Sequence, residues 1–214
     1  MSDSSQTLDQ IASALRQELE SSNRAREEAL RACREVIQYA SRSIRALHRG
    51  EMEQARTLAD GSKERVDLVR KALANYPQLY HGGYVHDSQK EYVEAESMLA
   101  IVSEGALPSP AALGVEPAAY LNGIAEAASE SRRYVLDRLR AGDVNRAEAV
   151  LKVMDDIYFE LVTFDFPDAI TGGLRRTTDA LRAVLERTRG DLTLTISQYR
   201  LESALRAAGK AEPA

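Results

Sequence analysis

Residues 7–48 read TLDQIASALRQELESSNRAREEALRACREVIQYASRSIRALH. In this stretch Leu8, Ile11, Leu15, Leu19, Ala29, Leu30, Ala32, Cys33, Val36, Ile37, Ala40, Ile44 and Leu47 recur at helical spacing between charged residues. One long helix is predicted, stopped near Gly50. Outward from it the same period continues, with a second helix over 51–75 ended by Pro77 and packed antiparallel on the first, because the turn between them is short. PQLYHGGYVH (77–86) is a breaker, and a third helix is expected from 88 to 103. GALPSPAALGVEP (105–117) is a loop whose Pro117 suits the first turn of a fourth helix ending near Gly142. A fifth helix is expected over 143–163, then a break at FDFPDAITGG (164–173), a sixth helix over 174–190 ended by Gly190, and a seventh over 191–208. TLTI (193–196) is β-prone in isolation, but no segment reads as a strand. The expectation is an all-α, seven-helix antiparallel bundle forming a single domain over 1–214, with 1–6 and 209–214 frayed.

Composition agrees with this. The 214 residues are 44% apolar and 29% charged, with no Trp and much Ala, Leu, Arg and Glu, which are strong helix formers. Cys33 stands alone, which excludes a disulfide framework and a cysteine metal motif, and reads as a small buried apolar residue. The first twenty residues are polar, and no apolar run approaches the roughly 18 residues of a membrane span. No membrane association and a cytoplasmic location are therefore expected. A net charge of -5 is not the footprint of a nucleic-acid-binding surface, so any such contact must use local positive charge.

Two acidic pairs carry the candidate chemistry. Taking Glu91 as zero on a helical wheel, Ala95, Met98 and Val102 lie within about 40°, and Glu94 falls about 60° away. Both acids sit on the apolar arc, whereas Glu96, about 140° away, is expected to face water. Burying an ionised carboxylate without a partner is costly, so a cation, a strong donor or a raised pKa must accompany the pair. Glu91 has a structural alternative, since Ser88-Gln89-Lys90-Glu91 matches an S-x-x-E capping box. Glu126 and Glu130 are a like-charged i, i+4 pair that Arg133 could relieve, as on an ordinary solvated helix face. His48, His81 and His86 are scattered, with a turn or capping role expected for His86. Tyr92 and Tyr120 read as packing residues with a polar tip.

EYVEAESM (91–98), followed by YLNGIAEAASESRRYVLDRLRAGD (120–143) and LRRTTDALRAVLERTRGDL (174–192), resembles the translin/Trax family. The resemblance spans roughly residues 80–205. It implies a seven-helix protein that assembles into closed, octamer-like homo-oligomers and binds single-stranded or structured RNA, with single-stranded DNA as the alternative ligand. In Trax-type members, acids matching Glu91, Glu94, Glu126 and Glu130 form a metal-dependent endoribonuclease site. Translin-type members bind nucleic acid without the complete acidic set. All four acids are kept here, with Glu126 replacing the usual Asp by a side chain one methylene longer.

An all-carboxylate set favours Mg²⁺ or Mn²⁺ over Zn²⁺. Arg132 and Arg133, on the helix of Glu126 and Glu130, are the expected phosphate contacts. Three readings stay open at this level: a metal-dependent ribonuclease, a nucleic-acid-binding protein without turnover, and a helical scaffold whose acidic stripes are solvated.

Overall fold

The structure, a computed structural model, describes residues 2–208, with side chains from Thr7 to Ala207. Its long helices are α1 (Ser2–His48), α2 (Met52–Ala72), α4 (Gly83–Ser103), α6 (Pro117–Arg140), α7 (Val144–Leu161) and α9 (Leu174–Ala208). Three single-turn helices, α3 (Pro77–Tyr80), α5 (Pro110–Leu113) and α8 (Asp168–Thr171), lie in the three expected breaks. No strand occurs among the described residues, and TLTI is helical. The fraying expected at 209–214 falls outside the described residues. At the other end, the backbone of α1 is helical from Ser2, five residues before the predicted start.

α4 is the central helix and packs on α1, α2 and α6. Its buried residues run from Val85 to Ile101 and face every direction, as in a helix enclosed by neighbours. This enclosure overturns the expected exposure of Glu96, which is only 8% exposed and ion-paired to Arg56 of α2 at 2.9 Å. The direction of α4 is set by its contacts. Cys33 and Val85 share one cluster, whereas Leu47 and Met98 share another further on, so α1 and α4 run parallel. Lys90 meets Glu126, and Ser131 donates to the Met98 sulfur, so α6 runs parallel to α4 as well. The crossover of residues 104–116 makes that possible. Gly123 permits the close approach, because a Cβ there would lie 2.6 Å from the Lys90 carbonyl oxygen.

Two further boundaries differ from the sequence reading. α4 starts at Gly83 rather than near Ser88, because Val85 is buried with Ala29, Cys33 and Leu73, and this packing extends the helix toward the glycines. α9 continues through Gly190, so the expected sixth and seventh helices are one. A helix-interior glycine costs only about 1 kcal/mol. Burial of Thr188 and Leu192 and the Arg132 bonds to Thr188 and Asp191 tie both sides of Gly190 to α6. Among the described residues, no helix is long and apolar enough to cross a membrane.

Candidate functional site

Parallel packing of α4 on α6 sets two ladders side by side. Lys90 and Glu94 are one turn apart on α4, as are Glu126 and Glu130 on α6, and Glu91 lies beside them. Oxygens of Glu91, Glu94 and Glu126 all come within 4.8 Å of one another, each from a partly buried side chain. Lys90 Nζ donates to Glu126 Oε1 at 2.8 Å. Glu130 is turned to a different partner, with His48 Nε2 at 2.5 Å from its Oε1.

The electrostatics are those of crowded like charges. Burial, reinforced by Glu91, Glu126 and Glu130, pushes the Glu94 carboxyl up to about 8. Burial and the Glu126 charge also raise Glu91. Burial disfavours the Lys90 charge, but the Glu126 hydrogen bond and the charges of Glu126, Glu91 and Asp87 hold its pKa above the ordinary lysine value. One ammonium thus faces three carboxylates.

The capping-box alternative for Glu91 does not hold. Ser88 lies inside α4, where its hydroxyl donates to the Val85 carbonyl at 2.8 Å and lies 3.3 Å from the Cys33 sulfur. The buried Cys33 is the small core residue expected. Arg132 turns toward α9, donating to Asp191 at 2.7 Å and Thr188 at 3.1 Å. Arg133 is exposed, with no ion-pair partner among the described residues. Being seven residues from Glu126, it lies on the same stripe of α6. Tyr92 is wholly buried, and the Tyr120 hydroxyl donates to the Pro108 carbonyl, so both are packing residues. His86 lies in the first turn of α4 beside Gly172, its Nε2 buried without a partner among the described residues.

Sequence reasoning missed Lys90 and His48. The i, i+4 spacing of Lys90 and Glu94 was a usable signal, whereas nothing local to His48 pointed to a residue 82 positions away.

An all-helical bundle with a carboxylate cluster between two parallel central helices defines the class. The chain belongs to the translin/Trax family. AfC3PO, solved alone and as a complex with duplex RNA, is 36% identical; the match covers 87% of this chain and 97% of AfC3PO, with TM-scores of 0.81 and 0.80. Apo-NeC3PO shares the fold at 20% identity and a TM-score of 0.78, over 86% of this chain and 96% of that one. An uncharacterized protein of Methanocaldococcus jannaschii, MJ0175, is 30% identical over 184 residues, 85% of this chain and 81% of its own length. No family model matches the chain.

Proposed function

We propose that this is a cytoplasmic RNA-binding protein with metal-dependent endoribonuclease activity on single-stranded or structured RNA. The observation that carries the reading is the mutual approach of Glu91, Glu94 and Glu126 within 4.8 Å. Among the described residues, three carboxylates at that spacing, one with its pKa pushed to about 8, have no countercharge beyond Lys90. Their all-oxygen chemistry fits Mg²⁺ or Mn²⁺, whose ligand distances of about 2.0 to 2.2 Å put the oxygens of one coordination shell roughly 3 to 4.4 Å apart.

Glu91, Glu94 and Glu126 would hold the ion, with Glu130 beside them. The ion would supply the Lewis acidity that activates water and offsets phosphate charge. Lys90 sets a second positive charge at the same place. Arg133 is the phosphate contact on the acidic stripe; Arg132 reaches a phosphate only by leaving Asp191. Among the described residues, no serine or cysteine arrangement competes as a nucleophile: Cys33 is buried, and its thiol pKa is raised by burial. The RNA complex of AfC3PO, at 36% identity, supports RNA as the ligand class. Assembly into a homo-oligomer, octameric by family resemblance, is part of the same proposal. The exposed stripe of Leu8, Ile11, Leu15 and Leu19 on α1 is apolar surface for it.

The test is RNA cleavage with Mg²⁺ or Mn²⁺, with EDTA and Glu126→Ala as controls. Cleavage that both controls abolish is expected. RNA binding that persists without any cleavage refutes the nuclease reading and leaves a nucleic-acid-binding protein.

A further inference from the structure

His48 belongs to no motif, and its side chain is only 2% exposed. It closes α1, where an imidazole could satisfy a terminal carbonyl of its own helix. It makes no such bond. The ring instead crosses to α6, and Nε2 lies 2.5 Å from Glu130 Oε1. A carboxylate oxygen accepts, so the imidazole is the donor. The second Glu130 oxygen has no protein partner among the described residues.

This contact coincides with a division among the four acids. Glu91, Glu94 and Glu126 converge, whereas Glu130 stands outside the convergent set although its charge still acts on Glu94. We infer that His48 is a positioning residue: it anchors one oxygen of Glu130, keeps this carboxylate out of the ion's coordination shell, and leaves the other oxygen to orient water or substrate. The inference rests on the metal-site reading above. It assigns the shell to three acids and a separate role to the fourth, set by a residue from a third helix. The ring is too deeply buried to touch RNA, so its effect passes through Glu130 alone.

The test compares wild type, His48→Ala, His48→Gln, Glu130→Gln and the double variant His48→Ala/Glu130→Gln. Mn²⁺ binding is followed by electron paramagnetic resonance, and RNA turnover is measured at saturating Mn²⁺. In His48→Ala the released Glu130 joins the ion, so Mn²⁺ binds roughly three- to tenfold more tightly while kcat falls about 10- to 100-fold, the usual effect of losing an outer-shell partner. His48→Gln, whose amide can donate from about the place of Nε2, moves both values back toward wild type. In the Glu130→Gln background, His48→Ala changes neither. A merely structural histidine would weaken binding and turnover together, in both backgrounds. That outcome, or a kcat within twofold of wild type in His48→Ala, overturns the inference and leaves the metal site standing. A wild type that binds no Mn²⁺ overturns the site and the inference together.

Discussion

Replacing Glu94 by Gln isolates the energetic cost of the acidic cluster. The folded protein holds the Glu94 proton up to about pH 8, whereas the group's ordinary value is 4.5. Between those values the folded state binds a proton that the unfolded chain has released, so stability falls as pH rises. The contribution is fully present below 4.5 and is lost by the time the pH has passed about 8, at a rate of up to about 1.4 kcal/mol per pH unit. Integrated from pH 5.5 to 8.5, this single group removes about 3 kcal/mol. Glu94→Gln keeps nearly the same shape and cannot ionise. The stability of the variant relative to wild type should therefore shift by about 3 kcal/mol in its favour over that interval, whatever offset the amide introduces at pH 5.5. The assay is urea unfolding followed by far-ultraviolet circular dichroism, in EDTA and at one fixed protein concentration. A relative stability that stays constant between the two pH values, or moves against the variant, refutes the crowded-carboxylate account. Adding Mn²⁺ at about 100 times its dissociation constant should then stabilise wild type by about 2.7 kcal/mol and leave the variant unchanged.

Other perturbations test the surrounding architecture. Lys90→Met removes the ammonium that competes for Glu126 and should tighten Mn²⁺ binding roughly tenfold, the effect of relieving about 1.4 kcal/mol of like-charge repulsion under near-aqueous screening; weaker binding in a calorimetric titration would count against it. Gly123→Ala places a Cβ 2.6 Å from the Lys90 carbonyl oxygen and from Val93 Cβ. It should lose about 2 to 3 kcal/mol in urea unfolding and weaken Mn²⁺ binding as α4 and α6 separate. Gly190→Ala meets no atom within 4 Å and sits inside a continuous helix. A gain of about 1 kcal/mol is expected, whereas a loss would show that the chain needs a break there. Arg133→Ala should weaken RNA binding and lower the slope of log affinity against log salt by about 0.7 to 0.9, measured by fluorescence anisotropy.

Helical class, the long first helix and the three breaks were legible because each is local. Period, propensity and proline or glycine signals act over a few residues, and residues 7–48 alone required an extended amphipathic helix. The acidic pairs were visible too: Glu91 and Glu94 because a carboxylate on an apolar arc conflicts with its surroundings wherever the helix packs, Glu126 and Glu130 only as a like-charged i, i+4 pair. What the chain alone left open was each group's partner. Glu96 looked solvent-facing because a wheel shows one helix, whereas α4 has neighbours all round and Arg56 reaches it from α2. The Ser88 capping box matched in sequence but lies inside a helix that Val85 burial extends to Gly83. Gly190 looked like a stop because glycine weakens a helix, yet the contacts of α9 with α6 outweigh about 1 kcal/mol. Lys90 on Glu126, and His48 on Glu130, depend on three parallel helices brought into register by a crossover loop. Sequence determined which residues could carry charge into the core. Only tertiary packing decided which of those charges meet, because distances between helices are set by side-chain burial far along the chain.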